Sequence, residues 1–210
     1  MRPVEKYVSE YIDGFDFTFS EHISKRVFDV EIEVDAFEYN DRHHRREKAH
    51  VVLKKNSLQY ECDCYEDHDY NSDFYPVVIH GQRFICFRKT LYGFTLLNAD
   101  TLAEEYEYFP ENVVRGEESF IIVDVKQLDE FLIFEGCYWA CPYECFCFDY
   151  DQKLFWNVSK AYGIASAHQT ALQDGSLVLS GTDENGTEKK ATVLKQDIIQ
   201  GIKTNGTENI

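Results

Sequence analysis

The stretch Phe131–Trp156 reads FLIFEGCYWACPYECFCFDYDQKLFW. Its apolar runs Phe131–Phe134 and Cys145–Phe148 are short and bounded by Gly, Pro or Asp, which suits buried strands and not helices. Four of the chain's seven cysteines fall here, among a dense set of aromatic side chains. Aromatics supply large buried areas, and a free cysteine behaves as a small buried hydrophobe. This segment is therefore expected to be a hairpin at the densest part of the interior, with the aromatic turn Tyr138–Tyr143 as its mouth.

Similar apolar runs occur upstream at Phe84–Phe87, Phe94–Leu97 and Phe120–Val125. Phe84 and Phe131, which open two stretches built on one plan, lie 47 residues apart. Each stretch has an apolar strand, an aromatic turn, a second apolar strand, an Asn or Asp turn and a third strand. Periods of this size accompany blades of antiparallel strands. The fold expected is mainly β, built of sequential antiparallel hairpins, either propeller-like or a curled sheet or sandwich.

The string GCYWACPYE at 136–144, followed by an aromatic strand ending in Asp, resembles a phrase found in bacterial β-rich, propeller-like proteins. The strings LYGF, YFP and GEESF agree with it, and the resemblance spans about residues 80–160. It implies a β fold; no activity is established for such proteins, so it brings no catalytic residues.

Toward the N-terminus, Val4, Tyr7, Val8, Tyr11 and Ile12 recur at helical spacing before Gly14, which predicts a short helix within residues 1–14. Over Arg26–Asp35 the period becomes two: Phe28, Val30, Ile32 and Val34 alternate with acids, as in a half-buried strand with an acidic outer face. Asp41–Lys48 (DRHHRREK) reads as a solvated loop, and His50–Lys55 and Ser57–Cys64 as strands. Glu66–Asp73 is a polar turn region. Ala103–Phe109 is open between strand and helix. Ser176–Ser180 and Lys189–Leu194 read as a late strand pair, and residues 159–173 as a helix turn or connector. A single β-rich domain is expected over 15–200, with a mobile tail over Lys203–Ile210.

The net charge is −17. Charge of this sign favours solubility and opposes contact with phosphate, so no nucleic-acid or membrane partner is expected. A protein or peptide partner is permitted, and so is homodimerisation through sheet edges. Residues 1–14 contain acids and no apolar block, and no run reaches the length of a membrane span, which predicts a cytoplasmic location. The odd cysteine count agrees with a reducing compartment. The sequons at Asn157, Asn185 and Asn205 are then chance matches.

Cys137, Cys141, Cys145 and Cys147 invite a zinc reading, but C-x-C on a strand is not the paired knuckle of a structural site, and core packing is expected instead. Cys62-x-Cys64-x3-His68 fails similarly, because Leu58, Tyr60, Cys62 and Cys64 form one apolar stripe. His43 and His44 sit among arginines that repel a cation. No G-x-S-x-G, H-E-x-x-H or phosphate-cradling glycine loop occurs. A distant pairing of Cys137 or Cys141 with His80 or His168 has no local signature. Tyr138, Trp139, Tyr143 and Glu144, at the mouth of the dense hairpin, are the candidate ligand-binding residues. The expected function is a non-enzymatic binding or interaction protein, without metal, cofactor or catalytic residue. The alternatives are a hydrolase acting on sugars or peptides and a zinc-stabilised structural domain.

Overall fold

The computed structural model describes residues 2–41, 45–65, 73–111, 113, 119–138 and 142–210. The protein is mainly β, with 59% of the described residues in strands. It divides into two compact units, Met1–Arg115 and Gly116–Ile210, where one β-rich domain over 15–200 was the reading of the sequence.

Unit 1 opens with helix α1 (Pro3–Tyr11). Proline at the first helical position starts it without loss, since that N–H has no intrahelical partner. The Glu5 carboxylate accepts from the Arg2 backbone N–H at 3.0 Å. Val4 and Tyr7 are buried, and Tyr7 meets Tyr92 edge-on, with ring centroids 5.6 Å apart. The first sheet is a meander of β1 (Thr18–Val27), β2 (Val30–Asn40), β3 (Arg45–Lys55) and β4 (Leu58–Tyr65). The second is a meander of β5 (Phe74–Ile79), β6 (Gln82–Phe87), β7 (Phe94–Asn98) and β8 (Glu104–Tyr108).

Every other residue along the middle of β2 and β3 is apolar and faces inward, Val30, Ile32, Val34 and Ala36 and then Ala49, Val51 and Leu53, joined by Cys64 of β4. This face packs on Phe74, Ile85, Phe87 and Leu97 of the second sheet, one core between two layers. Tyr60 and Cys62 border that core, whereas Leu58, at the strand end, is exposed.

Unit 2 contains a four-stranded meander of β9 (Phe120–Leu128), β10 (Phe131–Tyr138), β11 (Tyr143–Asp149) and β12 (Leu154–Asn157). Next come the short helix α2 (Val158–Ala161), a three-stranded meander of β13 (Ser166–Gln173), β14 (Ser176–Thr182) and β15 (Glu188–Val193), and helix α3 (Lys195–Asn205). Phe131, Ile133, Cys145, Cys147 and Trp156 share a core with Leu177, Leu179, Val193, Ile198 and Ile202. The 47-residue echo has a structural counterpart: Phe84 and Phe131 lie in the second strands, β6 and β10, of two four-stranded meanders.

Local structure departs from the sequence reading at several points. The alternation over Arg26–Asp35 crosses a turn: β1 ends at Val27, Phe28 takes φ +54°, and β2 begins at Val30. Of the expected loop over Asp41–Lys48, residues from Arg45 onward belong to β3. Ala103–Phe109 resolves as strand β8. Residues 159–173 hold α2 and then β13, which pairs along its length with β14. The chain end is tied down: Lys203–Asn205 close α3, and Thr207 exchanges both backbone hydrogen bonds with Phe155 at 2.7 and 2.8 Å.

Candidate functional site: the acidic face and cleft of unit 1

The register of the first sheet brings four residues into one row on its outer face. His22 on β1 lies opposite Asp35 on β2, Asp35 opposite His50 on β3, and His50 opposite Asp63 on β4. The next row carries Ser24, Glu33, Val52 and Glu61 in the same strand order. His22 Nδ1 lies 2.7 Å from Asp35 Oδ1, and its Nε2 lies 2.9 Å from Glu33 Oε2. His50 repeats the arrangement on the second hairpin, with Nδ1 3.0 Å from Asp63 Oδ1 and Nε2 4.0 Å from Glu61 Oε2.

The repetition is in the sequence itself. His50, Glu61 and Asp63 each follow His22, Glu33 and Asp35 by 28 residues. The turn residues Phe28 and Asn56 keep the same offset, and both take φ +54°. The motif is H-x10-E-x-D spread over a hairpin. The length of the first strand and turn places the acids of the second strand opposite the histidine.

The row is solvent-exposed, with the His22 and Asp35 side chains about half accessible. The hydrogen bond to Asp35 raises the proton affinity of His22 above its ordinary value. Partial desolvation opposes this, and the charges of Asp35 and Glu33 add to it. Among the described residues of these two adjacent rows, the four carboxylates have two imidazoles as counter-charges.

The row ends at a cleft of about 410 Å³. Glu61 and Asp63 form one wall, Arg2 and Glu5 of the helix end another, and Tyr60, Cys62, Lys89, Glu104 and Glu107 line the interior. Lys89 donates to Glu104 Oε2 at 2.6 Å and Glu107 Oε1 at 2.7 Å. Glu104 Oε2 also accepts from the Tyr60 hydroxyl at 2.7 Å. Burial opposes charge on Lys89, but its two carboxylate partners outweigh burial and hold its pKa above the ordinary lysine value. Burial likewise opposes charge on Glu104, and the Lys89 and Tyr60 donors outweigh it, so its pKa is lowered. Burial pushes the Tyr60 phenol far up. The hydrogen bond shared with Cys62, then burial, does the same for the Cys64 thiol.

Of the residues singled out at the hairpin mouth, three are described and all lie in unit 2. Tyr138 ends β10 and meets Phe120 edge-on at 5.4 Å. Tyr143 starts β11 opposite Cys137. Glu144 accepts a hydrogen bond from the Asn157 side chain and lines a second cleft, of about 450 Å³, with Lys160, Asp183 and Lys189. Tyr138 and Tyr143 do not line that cleft. Trp139 and Cys141 lie outside the described residues, as do His43, His44 and His68.

Cys137, Cys145 and Cys147 are buried, and burial raises the thiols of Cys145 and Cys147. Among the described residues no group of three or more His, Cys, Asp or Glu side chains is arranged to hold a metal ion, and no helix is long and apolar enough to cross a membrane.

The acidic outer face of β2 is legible in the sequence, but the histidines that flank it on β1 and β3 are not; the 28-residue spacing is the signal that reveals the row. No protein-family model matches this chain, and searches of curated proteins and of solved structures return no significant match.

Proposed function

We propose that this protein is a non-enzymatic binding protein, and that the acidic cleft of unit 1 receives a cationic side chain of a protein or peptide partner. The observation that carries this reading is the state of charge around the cleft. Its cations are already engaged, Lys89 by Glu104 and Glu107 and Arg2 by Glu5 and Glu107, while among the described residues Glu61 and Asp63 on its rim have His50 as counter-charge and otherwise meet the neutral Gln59 and Tyr65. The uncompensated charge of the rim is therefore negative, which attracts a lysine or arginine and repels phosphate.

The titrating groups favour binding over catalysis. General acids and bases work best with pKa values near the operating pH. In the cleft, Lys89 and Tyr60 are shifted up and Glu104 down, each away from neutrality. The buried thiols of Cys86, Cys145 and Cys147 are all shifted up, which suppresses the thiolate that nucleophilic chemistry needs.

Cys62 provides the test. It lines the cleft and is partly accessible. With an acetylated oligolysine peptide at saturation, alkylation of Cys62 by iodoacetamide, followed by peptide mapping, is expected to slow severalfold. An unchanged rate at saturation rejects the cleft as the docking point.

A further inference from the structure

We infer that the outer face of the first sheet is itself an interaction surface, fitted to an extended basic segment that runs across the four strands and whose cations take the place of His22 and His50 as counter-charges. The inference deepens the reading of unit 1 as a receiver of cationic partners, and it carries the contact from the cleft wall on β4 across the outer face to β1.

Three observations carry it. The first is spacing. Asp35 and Asp63 lie in one row two strands apart, and so do Glu33 and Glu61 in the next. Strands stand about 4.8 Å apart and two residues rise about 7 Å, so the four carboxylates form a rectangle of about 10 by 7 Å. An extended chain that places every second or third side chain on one side presents cations at about 7–10 Å, the same pitch.

The second is complementarity. His22 is faced by Asp35 and Glu33 of β2. His50 is faced by Asp35 of β2 and by Asp63 and Glu61 of β4, with Lys48 and Val52 next along the outer side of β3. With both imidazoles neutral, the two central rows carry four negative charges and no positive one. With both protonated, half of that charge is cancelled from within. A basic segment and a proton therefore compete for the same carboxylates.

The third is a hydrophobic margin beside the row. Phe19 is 60% exposed and lies edge-on to Phe37, with centroids 5.9 Å apart. The Lys48 ammonium sits 5.7 Å from the Phe37 ring centre. Exposed rings next to fixed charges give a docking segment an apolar anchor beside its ionic contacts.

The test compares two variants of equal charge. Glu33→Gln/Asp35→Asn removes two carboxylates of β2 that do not line the cleft, and Glu184→Gln/Glu188→Gln removes two exposed ones in unit 2. By calorimetry with an acetylated oligolysine peptide, the first is expected to weaken binding roughly tenfold and the second less than about twofold. Equal losses would mean generic attraction by an acidic protein and would overturn the inference.

Binding by the unmodified protein is also expected to weaken severalfold as pH falls and His22, held up by Asp35, takes its proton, and His22→Gln to remove most of that dependence. No weakening, or a dependence unchanged in the histidine variant, overturns it as well, and this arm does not depend on the carboxylate variant folding. Loss of Cys62 protection with the variant effects intact would reject the cleft and leave the face standing.

Discussion

Arg88 Nη2 donates to Asp73 Oδ2 at 2.7 Å, and both side chains are buried within unit 1. Asp73 immediately precedes β5 and Arg88 immediately follows β6, so the pair closes the open end of that hairpin. Removing one partner of a buried ion pair leaves the other charge with a lost bond that water does not readily replace. Asp73→Ala is expected to destabilise unit 1 by about 3–5 kcal/mol. Urea unfolding followed by circular dichroism would check this, and a loss under about 1 kcal/mol would mean that Arg88 finds water or another acceptor.

A second network ties the two sheets of unit 1 together at the surface. Lys55 donates to Asp100 at 2.7 Å and to the Ala99 carbonyl at 2.9 Å, and lies 3.2 Å from Asp29. Arg83 also pairs with Asp100 and Asp29. The Arg83 and Lys55 hydrogen bonds lower the Asp100 pKa from 3.8 to about 2. A lowered carboxylate adds stability that is fully present above its unfolded value and disappears as pH falls through its folded one. The Asp100 contribution is therefore present above pH 3.8 and lost towards pH 2. In Asp100→Asn the fall of melting temperature across this window should be shallower than in the parent; parallel curves would contradict the assignment.

His22 shifts in the opposite sense. Its pKa is raised above 6.5, chiefly by the hydrogen bond to Asp35. Stability from a raised group is fully present below the unfolded value and is lost as pH rises through the folded one. Imidazole proton resonances should give a His22 midpoint above 6.5, and Asp35→Asn should bring it down. A midpoint that does not move in Asp35→Asn would show that the row does not act on His22 in solution.

Gly201 sits in α3 where a Cβ would lie 2.3 Å from Cε2 of Trp156. Helix and indole touch without an intervening side chain. Gly201→Ala raises helix propensity, yet it pushes a methyl into a buried ring, and overpacking of this kind costs about 1–3 kcal/mol. Thermal unfolding should show a net loss, with a shift in tryptophan emission. A stability gain would mean that the helix slides off the ring freely.

The dense hairpin was readable in the sequence because its apolar runs are short and sharply bounded. β10 and β11 pair from Phe131 with Asp149 to Cys137 with Tyr143, the span those runs suggest. The turn at Phe28 was hidden because an apolar residue occupies it, so the alternation runs from Phe28 to Val34 without a break. β13 was hidden for the opposite reason: SAHQTALQ is small and polar, and its strand state comes from pairing with β14, not from its own pattern. The amphipathic helix α3, with Ile198 and Ile202 buried one turn apart, was not read at all. The candidate site was the least legible part. His22, Asp35, His50 and Asp63 are scattered along the chain, and only cross-strand register makes them neighbours. Glu144 was found through its place beside an aromatic turn, and it lines a cleft different from the one on which the proposal rests.

Within each sheet every strand is bonded to the strand before or after it in the chain. Among the described residues no sheet ladder waits for a distant segment to arrive, the single Phe155–Thr207 bridge apart, and near-neighbour pairings of this kind shorten the loops that folding must close. The eight strands described in unit 1 are complete by Tyr108. During vectorial synthesis the first half can thus finish its hydrogen-bonded framework while the ribosome is still making the second, so that each new strand meets a partner soon after its birth.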